Sequence, residues 1–320
     1  MRKLLLAPWV ACISLAMSVP SQSQEAGAKG LDKLPATRKA YVIYGRKFGT
    51  ALTMDVFTPK ENANGAAIVV AVSGGWFSDV KMMQSSPFVM LFTESLQRGY
   101  TVFAVVHGSQ PRFTVPEAIE DMNQAVRFIR FHAKEYKIDP ERIGITGGSA
   151  GGHLSLMQGT AGDLGKADAP DPIERTSSRV QAVACFFPPT DFLNYGGKGK
   201  YAFALDGVLA GFRTAVDVRE FDPKTRRLER VSDEKKVQEL VRKISPITHV
   251  SADDPPTLII HGDADVLVPI QQSEAIMAKF KEVGVTAELV IRKGRGHDFS
   301  GGAKDMVVIV DWFDKHLKKK

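Results

Sequence analysis

The chain has 320 residues, with 42 Lys and Arg against 36 Asp and Glu, for a formal charge of +6. Part of that excess sits in the terminal Lys318, Lys319 and Lys320 and the remainder is spread out, which argues against a nucleic-acid surface. Two cysteines, Cys12 and Cys185, exclude cysteine-rich zinc sites.

The opening "MRKLLLAPWVACISLAMSVPSQSQ" sets Arg2 and Lys3 before an apolar run of roughly 15 residues and then a small, polar stretch, the layout of an export signal. The run contains Pro8 and is shorter than the roughly 20 apolar residues of a spanning helix, which disfavours a membrane anchor. Residues 1–23 are therefore expected to be a signal peptide, and the protein to be secreted or periplasmic. Trp9, three residues before Cys12, fits a lipoprotein attachment site poorly. Residues 24–320 are enough for one large α/β domain, with no later stretch apolar enough to span a membrane. Cys185 lies inside the apolar "VQAVACFF" and reads as a buried thiol.

"KAYVIYGRKF" and "TALTMDVFTP" read as two strands of a hairpin joined near Gly49. The chain then alternates. "AAIVVAVS" is a strand, "PFVMLFTESLQRG" a helix stopped by Gly99, and "TVFAVVHG" a strand. From Glu117 to Lys137 the apolar residues fall at helical spacing. "RIGITG", "RVQAVACFFPP", "PTLIIHG" and "TAELVIRKG" are further strands, with helices after Ser149 and over roughly 271–284 and 303–317. Apolar strands separated by helices predict a mostly parallel central sheet with helices on both faces. Residues 191–245 break the alternation, are rich in charge, and read as a helical, cap-like insertion.

"ITGGSAGGHLSL" places Ser149 between Gly147-Gly148 and Gly151-Gly152, after a strand and before a helix. Gly147 to Gly151 fit G-x-S-x-G, the strained strand-to-helix turn that presents a serine oxygen at a sheet edge. A serine hydroxyl attacks only once a base takes its proton, so a histidine oriented by a carboxylate is required. In this fold both follow the serine, acid first. "LIIHGDADVLVP" offers Asp263 and Asp265 at a strand end, and "KGRGHDFSGG" offers His297 after the next strand. Two donors are needed for the developing oxyanion. One is the backbone N–H of Ala150, and the other comes from "SGGWFSD" after "AAIVVAV". His153 and His261 read as structural contacts near these turns, while His107, ending an early strand, is a candidate substrate contact. Trp76, Phe77, Phe187 and Phe192 are candidates to line an acyl pocket or to belong to the core.

Together these residues resemble the α/β-hydrolase superfamily, and more narrowly secreted carboxylesterases related to the hormone-sensitive-lipase and bacterial feruloyl/acetyl-esterase groups. The most specific stretches are "KIDPERIGITGGSAGGHLSL", "FPPTDFLNYG" and "SPITHVSADDPPTLIIHGDADVLVPIQQSE". The resemblance implies the catalytic set Ser149, Asp265 and His297, choosing Asp265 over Asp263 through the HGxxD pattern. It also aligns Val72-Ser73-Gly74-Gly75-Trp76 with His-Gly-Gly-Gly-Trp, implying Ser73 and Gly74 as oxyanion donors beside Ala150. Backbone donors do not call on a side chain, so the Ser73 hydroxyl is expected to be dispensable. The implied substrate is a small-molecule or polysaccharide-linked carboxylic ester, such as an acetyl or feruloyl ester, with no metal or organic cofactor. Two other readings compete: a peptidase of the prolyl oligopeptidase kind, and an inactive hydrolase-fold binding protein. Once residues 1–23 are set aside as the expected signal peptide, the roughly 40 residues before "AAIVV" are expected to leave no space for the propeller of the former.

Overall fold

The computed structural model describes residues 30–217, 219–231 and 233–319; the expected signal peptide lies outside them. Strands β1 (Ala36–Lys47) and β2 (Thr50–Pro59) form the expected antiparallel hairpin, turning through Phe48 and Gly49, both at positive φ. β3 (Ala67–Ala71), β4 (Thr101–Val106), β5 (Ile143–Gly148), β6 (Ala182–Phe186), β9 (Thr257–Gly262) and β10 (Ala287–Arg292) complete an eight-stranded sheet ordered β1-β2-β4-β3-β5-β6-β9-β10. From β4 to β10 every pairing is parallel. The apolar runs of β3 and β6 are wholly buried because helices cover both sides.

One face packs on α2 (Val115–Phe131), α3 (Ala150–Ala161) and α5 (Gln271–Val283), through residues such as Met122, Leu154 and Phe280. The other packs on α1 (Ser86–Gln97) and α6 (Ala303–Leu317), through Leu91, Phe92, Ile309 and Phe313. α2 starts at a capping box in which Thr114 and Glu117 satisfy each other's end of the helix. The helix expected to reach Lys137 stops at Phe131. His132 leaves helical geometry, one further turn follows, and Lys137 closes it in the left-handed conformation.

The chain order β4-β3-β5 reverses direction between β3 and β5, so the connections after these strands leave on opposite sides and open a crevice at their carboxyl ends. The insertion is less helical than its charge pattern suggests. It turns in 3₁₀ geometry over Ala210–Val216, forms a ribbon of β7 (Arg219–Asp222) with β8 (Arg227–Arg230), and among the described residues contains one α-helix, α4 (Glu234–Lys243). Alternation of charge with single apolar residues suits a solvated two-stranded ribbon as well as a helix face, which is why composition alone did not separate them.

Candidate active site

Ser149 occupies the turn between β5 and α3 at φ 55° and ψ −119°, a conformation side-chain-bearing residues rarely adopt. The turn is held by the Ser149 N–H donating to the Phe186 carbonyl and by the His153 N–H donating to the Ser149 carbonyl. The flanking glycines answer to backbone proximity. A Cβ on Gly147 would sit 2.6 Å from the Gly151 backbone, and one on Gly151 would sit 2.6 Å from the Ala71 carbonyl oxygen at the end of β3. Helix α3 therefore starts pressed against both strands that bound the crevice.

The structure brings Ser149, His297 and Asp265 into one hydrogen-bonded line. Ser149 Oγ lies 2.8 Å from His297 Nε2, and His297 Nδ1 lies 2.7 Å from Asp265 Oδ2. The ionised carboxylate only accepts, so Nδ1 carries the proton and Nε2 is free to accept from the serine. The other carboxylate oxygen, Oδ1, accepts from the N–H groups of Leu267 and Val268, both at 2.9 Å. Burial alone would raise the Asp265 pKa, but hydrogen bonds from His261, His297 and the Val268 N–H outweigh it and hold the carboxyl well below its usual range. Asp263 turns elsewhere, accepting from the Gly294 N–H at 2.6 Å in an exposed loop.

His261 braces the acid turn. Its Nε2–H donates to the Val268 carbonyl at 2.8 Å and stands 3.3 Å from Asp265 Oδ2, while Nδ1 accepts from Ser273 Oγ. The ring of Phe187, after β6, packs 4.4 Å from the His297 ring, centroid to centroid.

The loop after β3 corrects one expectation. The Gly74 N–H donates to the Phe77 carbonyl at 2.9 Å, and the return bond closes a tight turn through Gly75 and Trp76, both at positive φ. While that turn stands, Gly74 has no N–H to offer an oxyanion. Among the described residues, the N–H groups of Ser73, Gly75 and Ala150 have no acceptor.

Two histidines do more than the sequence suggested. His107 is buried beneath the loop, where its Nδ1–H donates to the Gly108 carbonyl and its Nε2 accepts from Ser73 Oγ at 2.9 Å. It reaches the oxyanion loop rather than the cavity. His153 is fully buried: its Nδ1 accepts from Trp76 Nε1 at 3.1 Å and its Nε2–H donates to the Ile244 carbonyl at 2.6 Å. Neither pairing leaves a signal in sequence, because each joins segments distant in the chain.

A cavity of about 390 Å³ opens at Ser149 and His297, lined mostly by apolar side chains. Trp76 and Phe187 belong to it, whereas Phe77 is half exposed and Phe192 is core packing against Trp76. The insertion supplies Leu209 and Phe212 to the wall. Among the described residues no group of three or more His, Cys, Asp or Glu is placed to hold a metal ion, and no helix is long and apolar enough to cross a membrane.

The sheet order, the strained serine turn and the succession of serine, aspartate and histidine on the ends of β5, β9 and β10 are those of an α/β-hydrolase. The chain belongs to the BD-FAE family, whose model matches residues 54–280. It is 30% identical over 275 residues to the "Probable carboxylic ester hydrolase LipM" of Mycobacterium tuberculosis, and 28% identical over 280 residues to "Esterase LipQ" of the same organism. Both alignments cover 82% of this chain, which spans only 57% and 59% of the two relatives. Among solved structures it is similar to a truncated carbohydrate esterase from gut microbiota, with 30% identity and a TM-score of 0.68 over 88% of this chain and 97% of the other. It is also similar to an acetyl ester-xyloside bifunctional hydrolase from Caldicellulosiruptor lactoaceticus, with 25% identity and a TM-score of 0.66 over 88% and 95% of the two chains.

Proposed function

We propose that the protein is an exported serine esterase that hydrolyses carboxylic esters through an acyl-enzyme on Ser149. The observation that carries this reading is the line of hydrogen bonds Ser149–His297–Asp265 ending at the mouth of an apolar cavity. As Ser149 Oγ attacks the ester carbonyl carbon, its proton passes to His297 Nε2, and buried, ionised Asp265 stabilises the imidazolium that forms. The carbonyl oxygen becomes an oxyanion within reach of the Ser73 and Ala150 amides. Collapse breaks the bond to the alcohol, which leaves with the proton from His297. Water then attacks the acyl-enzyme by the same route in reverse and frees the acid and Ser149.

Names of the similar structures, a carbohydrate esterase and an acetyl ester-xyloside hydrolase, support ester groups carried on polysaccharides, of which acetyl and feruloyl are the two considered. Export rests on the charged and apolar pattern of residues 1–23. The test is turnover on esters of graded acyl length, acetylated xylan and methyl ferulate, beside aminoacyl-proline amides as peptidase substrates. Fluorophosphonate labelling of Ser149 with ester turnover is the expected result. Amide cleavage without ester cleavage would move the assignment to a peptidase, and absence of both labelling and turnover to a binding protein.

A further inference from the structure

Thr146 is fully buried on β5, three residues before Ser149, and its hydroxyl has no hydrogen-bond partner among the described residues. It lines the cavity that opens at Ser149. Alternation along the strand explains how the two are connected. Gly144, Thr146 and Gly148 share the sheet face covered by α1 and α6: a Cβ on Gly144 would strike Phe313 of α6, and one on Gly148 would strike Phe299. Leu91 of α1, Met306 of α6 and Phe299 line the same cavity. The Phe299 ring packs over Gly148, and Thr146, Gly148 and Ser149 all line the one cavity, the threonine three residues and at most roughly 10 Å from the serine.

A buried hydroxyl left unpaired is unfavourable, and such groups in native proteins are few. The cavity it lines is mostly apolar, so a ligand that fills the cavity and brings an oxygen to Thr146 recovers the missing bond. We propose that Thr146 is a specificity-determining residue at the floor of the acyl pocket. The acyl group it selects is apolar along its length and carries a hydroxyl, ether or keto oxygen remote from the ester carbonyl. An acyl chain of about six atoms spans most of the distance; an acetyl group stays near Ser149 and never meets Thr146. This inference rests on the esterase reading and names the acyl class that the same site takes.

The experiment compares ethyl hexanoate with ethyl ω-hydroxyhexanoate, and ethyl acetate as a short control, on the wild-type chain, Thr146→Val and Thr146→Ser. The wild type is expected to favour the hydroxylated ester in kcat/KM. Thr146→Val, which keeps the shape and removes the hydroxyl, should raise turnover of the plain hexanoate and shift the ratio against the hydroxylated ester by about tenfold or more. Thr146→Ser should keep the wild-type preference, and thermal melting of all three chains reports whether the variants are folded. An unchanged ratio in an active Thr146→Val enzyme overturns the role of Thr146 and leaves the esterase reading standing. No turnover of any ester by the wild type overturns that reading, and the proposal with it.

Discussion

Ser73 and His107, 34 residues apart, share a buried hydrogen bond of 2.9 Å beneath the loop that supplies one free amide to the serine. Because His107 Nδ1–H donates to the Gly108 carbonyl, its Nε2 accepts, and the Ser73 hydroxyl is the donor. The hydroxyl expected to be dispensable is therefore a tether for the peptide that bears the Ser73 amide. Removing it leaves a buried imidazole nitrogen unpaired, a loss of about 1–3 kcal/mol. Ser73→Ala is expected to lower the melting temperature and reduce turnover by about tenfold. In a double-mutant cycle with His107→Ala the two effects should fall well short of additive. Additive losses would show that the pair does not act as a unit.

The two candidate acids separate cleanly in their environments. Asp265→Asn keeps the size of the side chain but no longer holds the proton on His297 Nδ1, and turnover should fall by roughly four orders of magnitude. Asp263→Asn still accepts from the Gly294 N–H and should stay within a few-fold of the parent. Steady-state kinetics on one ester decides the ranking.

The glycines around the serine make opposite demands. Gly151→Ala pushes a Cβ against the Ala71 carbonyl oxygen, which belongs to a strand and cannot yield, so a loss of about 1–3 kcal/mol is expected together with low activity. Gly148→Ala strikes the far end of the Phe299 side chain, which can move, and meets Phe187 at ordinary contact distance. That variant should fold nearly as well as the parent but turn over long acyl groups more slowly than acetate. Urea denaturation and an acyl-length series read the two effects separately.

Acid should weaken the fold before it protonates the carboxylates. Burial lowers the pKa of His107 and of His153 to about 4, aided at His107 by the charge of Lys47 and opposed at both by a hydrogen bond to a backbone carbonyl. Unfolded, each ring returns to the ordinary histidine value of 6.5. Between those values the unfolded chain takes up protons that the folded chain refuses, so stability falls as pH falls, by up to about 1.4 kcal/mol per pH unit for each ring. Above the unfolded value neither ring contributes a slope. Asp265, held low when folded, adds its own loss only below its unfolded value of 3.8. Urea midpoints at about pH 7.5 and about pH 5 should differ accordingly, and His107→Gln should remove about half of the difference.

The sheet and the line of three side chains were legible in the sequence because both depend on local patterns. An apolar strand, a serine between glycines and a polar turn at a strand end are each readable within a few residues, and the choice of Asp265 over Asp263 came from the family resemblance. What stayed hidden depends on contacts across the fold. Gly74 reads as a donor in an alignment, and only the turn through Gly75 and Trp76 reveals that its amide is occupied. The isolated hydroxyl of Thr146 looks like any strand threonine until its neighbours are known. His107 and His153 carry no motif, since the partners that define them come from other strands and from the insertion.

His153 joins three parts of the protein that the chain keeps far apart: the first turn after the serine, the Trp76 indole, and the Ile244 carbonyl at the end of the insertion. Phe192 and Phe203 pack around the same indole, so the link is enclosed by aromatic rings as well as hydrogen-bonded. The insertion is consequently not an interchangeable module. Grafting it from a relative, or shortening it to widen substrate range, would leave a buried imidazole donor without its acceptor unless the backbone at Ile244 were kept in register. Engineering of this scaffold is therefore free to vary the solvated ribbon at 219–230 but bound to preserve the segment's closing residues.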